Sequence, residues 1–196
     1  MAKGGIDRLK RKEGFLPLRK RYFIIIEGET ERNYFLMIKR HKTSNVAIKC
    51  TIGKHPDVRH LIRTSDHYLD ENEADELTQC WIVLDADILS ATDLKSLRDW
   101  QMDKGNSHMQ KVAITAPMFE YWLLLHYKLP TAQLDKVQCE KGLKIEDSKY
   151  DKPFADCHHL WEKIPDALER ACQKEISLSS LSKNGTNLHK LVKQLV

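Results

Sequence analysis

The sequence predicts an α/β fold: an open, mostly parallel sheet flanked by helices, with a C-terminal helical extension. Three observations predict it. Short apolar runs end in acidic residues, segments of helical spacing separate those runs, and each connection is long enough for a parallel crossover. Residues 22–26 (YFIII) form the first run, nearly continuous in apolarity, the pattern of a strand covered on both faces. Thr30 is placed to cap the next helix, with Glu31 in its first turn and Tyr34, Phe35 and Ile38 on its apolar face. Residues 46–52 alternate like a second strand. After Pro56, residues Val58, Leu61, Ile62, Tyr68 and Leu69 recur at helical spacing.

Residues 80–84 (CWIVL) carry the strongest strand signal and run into Asp85-Ala86-Asp87. Leu94, Leu97 and Trp100 suit a helix, residues 112–115 a strand, and Pro117 opens the helix MFEYWLLLHY. Beyond Pro130 the pattern changes. Residues 130–155 read as polar and irregular, and then Leu160, Ile164, Leu168, Ala171 and Cys172 share one helical face. Asn184-Gly185 reads as a break before a last helix through Leu188, Leu191, Val192 and Leu195. The expected organisation is a basic arm (1–20), an α/β core (21–129) and a helical extension packed on that core (130–196).

The 196 residues suit one domain with an appendage. No apolar run reaches the roughly 18 residues of a membrane span. Five cysteines, odd in number and never spaced C-x-x-C, argue for a reduced, cytoplasmic protein without a disulfide framework. Charge is uneven. Residues 1–21 hold eight Lys or Arg against Asp7 and Glu13, a surplus of six in a chain of net +4, so the remainder is about −2. A basic arm on a mildly acidic body suits a nucleic-acid partner; a solvated tail is the plain alternative.

In open α/β sheets, ligands collect outside the carboxyl ends of the strands, where both acidic clusters fall. Glu27 follows the first strand and Glu31 lies four positions later, with Gly28 allowing a tight turn between strand and helix. Asp85 and Asp87 end the central strand, and continued extension would aim both the same way. Clustered carboxylates raise one another's pKa unless a cation is present. All-oxygen ligands suit Mg²⁺ or Mn²⁺, and two such ions can polarise a phosphodiester and activate water. Taken singly, each cluster is also a dipole-favoured helix start or a solubilising strand end. Their combination in this order favours the metal site.

Strand-EG-x-T-E-helix followed by strand-DxD resembles the Toprim signature of primases, type II topoisomerases and small nucleases. The closer similarity is to the RloB family, related to the Toprim half of OLD nucleases. It is carried by IIIEGETERNYF (24–35), WIVLDAD (81–87), APMFEYWLLLHY (116–127) and the tail NGTNLHKLVKQL. The resemblance implies a Toprim-like core, Mg²⁺- or Mn²⁺-dependent nuclease chemistry, and an anti-phage role beside an ABC/AAA-type ATPase. It makes Glu27 a ligand and acid–base group, Glu31 a holder of a second metal, Asp85 and Asp87 ligands, and Glu120 a further acid near the site. Ala116 departs from the pattern, which has Asn before this proline.

Glu120 otherwise reads as a dipole-stabilised glutamate at a helix start, and His126 as a core-edge histidine. Cys157-His158-His159 lacks a C-x-x-C partner, which argues against zinc. Phosphoryl transfer calls for a further cation. Lys183, His189 and Lys190 are the candidates, and Lys190 completes an expected catalytic set of Glu27, Asp85 and Asp87. Two other functions compete. A DxD glycosyltransferase would leave EGETE unexplained, and a non-cutting sensor or scaffold would hold metal while a separate ATPase works. RNA, tRNA included, and DNA stay open as substrates, as does a homo-oligomer.

Overall fold

A computed structural model describes residues 20–42, 45–50, 57–103, 109–181 and 184–196. Most of the basic arm, Lys183 and residues 51–52 of the expected second strand lie outside them. The described elements, in chain order, are β1 (Arg21–Ile26), α1 (Glu29–His41), β2 (Asn45–Cys50), α2 (Val58–Glu71), β3 (Thr78–Asp85), α3 (Ala91–Gln101) and β4 (Met109–Ala116). Then follow α4 (Phe119–Leu125), α5 (Lys136–Glu146), α6 (Ile164–Cys172), β5 (Gly185–Thr186) and α7 (His189–Leu195). Short 3₁₀ turns occupy Ala86–Ile88 and His158–Lys163.

The sheet order is β2-β1-β3-β4-β5, with the first four strands parallel and the two-residue β5 antiparallel to β4. Alternation sends Ile24, Ile26, Trp81, Val83 and Ala113 into one core with α1, α4, α6 and α7. Phe23, Ile25, Cys80, Ile82, Leu84, Val112 and Ile114 enter the other, against α2 and α3. Both faces are covered, which is why β1 and β3 each carry an uninterrupted apolar run, residues 22–26 and 80–84. The first core joins sheet residues to Leu143, Leu160, Ala167, Ala171, Leu191 and Val192, so the C-terminal third shares its interior with the sheet.

Four expectations change. Thr30 does not cap α1: Gly28 holds that position, and Thr30 is buried, its Oγ1 accepting from the Phe154 N–H at 3.4 Å. Residues 130–155 are not all irregular: α5 starts on a capping box in which Asp135 and Gln138 satisfy each other's backbone N–H. Only Cys139 and Leu143 of α5 are buried, too thin a stripe to read as helical. Asn184-Gly185 is not a break, because Gly185 begins β5 and the Asn184 side chain bonds both backbone groups of Leu134. Cys172 is exposed; the buried stripe runs Leu160, Ile164, Ala167, Ala171. Among the described residues no helix is long and apolar enough to cross a membrane.

Candidate metal centre

From β1 the chain crosses to β2 on one side, then returns to place β3 on the other side of β1. The carboxyl ends of β1 and β3 therefore flank the point where strand order reverses, the place an open sheet leaves a crevice. Glu27 leaves β1 there and Asp85 is the last residue of β3. Glu31 rises from the first turn of α1, and Glu120 from the first turn of α4. These four carboxylates line one cleft of ≈ 550 Å³, with Gly28, Glu29, Ile88, Lys152 and Pro153.

Gly28 is extended, with φ −128°, so the turn itself does not demand glycine. A Cβ there would lie 2.7 Å from Glu31 Oε2, the far end of a flexible side chain that would have to move aside. Glu29 pairs with Arg32 at 3.1 Å. Lys152 Nζ sits 2.9 Å from Glu120 Oε1 and 3.2 Å from Glu140, while the Tyr150 hydroxyl donates to the same Glu120 oxygen at 3.0 Å. Glu120 is only 2% exposed, and these two partners account for a buried charge in an otherwise apolar helix.

The remaining acids strain against each other. Burial, then the charges of Glu31 and Asp87, push Glu27 up to about 7, against some relief from Lys136. Burial also raises Glu31; its own backbone N–H offsets part of this, and Glu120 adds to it. Asp85 is held well above the carboxylate range by burial and by Glu31, Glu27, Glu120 and Asp87. Neutralising such a set with a divalent cation removes the repulsion. All-oxygen donors fit a hard ion of the Mg²⁺ or Mn²⁺ type. Among the described residues no three His, Cys, Asp or Glu side chains already stand close enough to hold a metal.

Asp87 does not point with Asp85. The backbone leaves extended geometry at the Ala86–Ile88 turn, and Asp87 pairs with Lys136 at 2.7 Å beside a separate hollow of ≈ 160 Å³. Its charge is still felt at Glu27 and Asp85. Lys190 is not brought to the acids. It pairs with Glu175 and lines a cleft at the amino ends of β3 and β4. His189 also meets Glu175. His126 is core: fully buried, bonded to Tyr34 and to the Trp122 carbonyl, and lowered to about 4 by burial. His159 bonds Asp147, His158 meets Arg40 and His41, and Cys157 is buried, so these three neighbours face different partners.

Sequence reasoning missed Lys152, Tyr150 and Lys136. The signal available was Tyr150-Asp-Lys-Pro-Phe154, an aromatic pair inside a polar stretch, and both aromatics are buried. A family model described as RloB-like protein matches residues 22–195, from the second residue of β1 through β5 and including every residue of the acidic cleft. The chain belongs to the RloB-like family. No curated protein and no solved structure matches this RloB-like chain.

Proposed function

We propose that this RloB-like protein is a divalent-metal-dependent nuclease that hydrolyses phosphodiesters of RNA, tRNA included, or of DNA, in antiviral defence with an ATPase partner. The observation that carries the reading is the convergence of Glu27, Glu31, Asp85 and Glu120 from three separate segments on the crevice at the strand-order reversal. The Toprim-like motifs around Glu27 and Asp85 supply the reaction class, and the family resemblance supplies the ATPase and the defence role.

Glu27, Glu31 and Asp85 would hold the ions, with Glu120 behind them. Bound Mg²⁺ or Mn²⁺ polarises a phosphoryl oxygen and lowers the pKa of bound water. The family resemblance gives Glu27 an acid–base role beside its role as ligand, taking the proton of an attacking water. Lys152, the only cation among the described residues lining the cleft, is placed to offset charge on the phosphoryl oxygens. Tyr150 and Glu140 position that lysine through Glu120 and directly.

The test is incubation with tRNA, single-stranded DNA and duplex DNA in Mg²⁺, Mn²⁺ or EDTA, with Asp85→Ala beside the wild type. Metal-dependent cleavage lost in the variant supports the reading and names the substrate. No cleavage under any condition, with a partner ATPase also supplied, makes the chain a non-cutting subunit.

A further inference from the structure

The lysine that lines the acidic cleft is already committed. Lys152 Nζ lies 2.9 Å from Glu120 Oε1 and 3.2 Å from Glu140 Oε1, so two carboxylates share its charge. An ammonium neutralised in this way offsets little charge on a phosphoryl oxygen. Its two partners differ. The Glu120 side chain is 2% exposed and the Glu140 side chain 39%. Buried as it is, Glu120 depends on its partners, and Tyr150 and Lys152 both meet its Oε1. Glu120 also belongs electrostatically to the acid cluster, because its charge helps to raise both Glu31 and Asp85. Lys152 relieves part of that rise at Glu31.

The backbone that carries Lys152 is fastened, while its side chain has room to move. Segment 147–159 is closed at its ends, where His159 Nε2 donates to Asp147 Oδ2 at 2.7 Å. Within it Tyr150 and Phe154 are buried. Phe154 is tied to α1 at both main-chain groups: its N–H donates to Thr30 Oγ1, and its carbonyl accepts from Asn33 Nδ2 at 3.2 Å. Between these two aromatics Asp151, Lys152 and Pro153 are exposed, and half of the Lys152 side chain faces solvent.

Resting on the metal-dependent reading above, we infer that Lys152 and a divalent cation compete for Glu120. An ammonium and a divalent ion on one buried carboxylate repel each other strongly at low dielectric. The lysine yields, because its flexible stem already reaches Glu140, the more exposed of its two partners. Cation binding thereby turns Lys152 from the counter-charge of Glu120 into a group open to a substrate phosphate. The two events acquire an order: the lysine is delivered to substrate only after the acids hold their cation.

The experiment uses the full chain, with Mn²⁺ as the probe and no nucleic acid. In calorimetric titration Lys152→Gln should bind Mn²⁺ about three- to tenfold more tightly than wild type, because a competing positive charge has gone. In a Glu120→Gln background the same lysine change should alter affinity by less than about twofold. Lys149→Gln, an exposed lysine of the same segment, should leave affinity unchanged. On wild type, acetic anhydride labelling read by mass spectrometry should modify Lys152 about threefold faster or more in Mn²⁺ than in EDTA, with Lys149 as the internal standard. Mn²⁺ affinity that falls or stays unmoved in Lys152→Gln would overturn the competition while leaving the metal site standing. So would an equal gain from Lys149→Gln, or Lys152 labelling indifferent to bound Mn²⁺. No Mn²⁺ binding by wild type at millimolar concentration would overturn both.

Discussion

Replacing Glu27 by Gln should stabilise the metal-free protein at alkaline pH while removing a proposed metal ligand. The shift of Glu27 from 4.5 to about 7 corresponds to roughly 3 kcal/mol favouring the neutral carboxyl. Partial exposure reduces this to about 2 kcal/mol. The sign follows from linkage: a carboxyl whose folded pKa is raised imposes nothing below the unfolded pKa, where both states are protonated. Its penalty grows as pH rises and is complete above about 7. Glutamine cannot ionise, so Glu27→Gln should gain about 2 kcal/mol at pH 8 and nothing at pH 4. For a domain of this size that is roughly 4–8 °C in melting temperature. The assay is thermal unfolding in EDTA from pH 4 to 8. Mg²⁺ added at pH 8 should raise the wild-type midpoint more than the variant's. A variant no more stable than wild type at pH 8, or one with the same advantage at pH 4, would refute the account of Glu27.

Three further outcomes are expected. Gly28→Ala should displace the Glu31 carboxylate, which can swing away, so metal affinity and cleavage should fall severalfold while the melting temperature moves by less than about 3 °C; calorimetric titration with Mn²⁺ reads the first. Lys152→Ala leaves the 2%-exposed Glu120 with Tyr150 alone and should cost about 1–3 kcal/mol in urea unfolding, with Lys152→Arg recovering most of it. Gly185→Ala would drive a methyl into the Lys174 carbonyl and the Ile176 side chain, and should cost about 2 kcal/mol or more in the same assay, because rigid backbone cannot yield cheaply.

The sheet was legible because β1 and β3 are buried on both faces and so carry uninterrupted apolar runs. The acids at its carboxyl ends were legible for a related reason: strand ends are fixed once strands are found, and Glu27 and Asp85 sit directly on them. What the sequence concealed depends on long-range closure. Asp87 turns aside because three residues adopt a 3₁₀ turn, which spacing alone does not announce. Lys152 reaches Glu120 from 32 positions away, through a segment with no periodicity to place it. Helix α5 buries two residues, yet its Asp135–Gln138 box was present in the letters. Lys190 lies on a tail whose start, β5, pairs with the carboxyl end of β4, yet the lysine itself lines the cleft at the amino ends of the strands.

The interval between the cleft's parts has a consequence during synthesis. A ribosome makes Glu27 early and reaches Lys152 roughly 125 residues later, at ~5–20 residues per second about 6–25 s afterwards. Until then the nascent strands present their acids without the lysine that faces Glu120, and α4 lacks the neighbours that bury it. The strands of a polypeptide proposed to cut nucleic acid would thus be made, acids and all, before the cleft is complete.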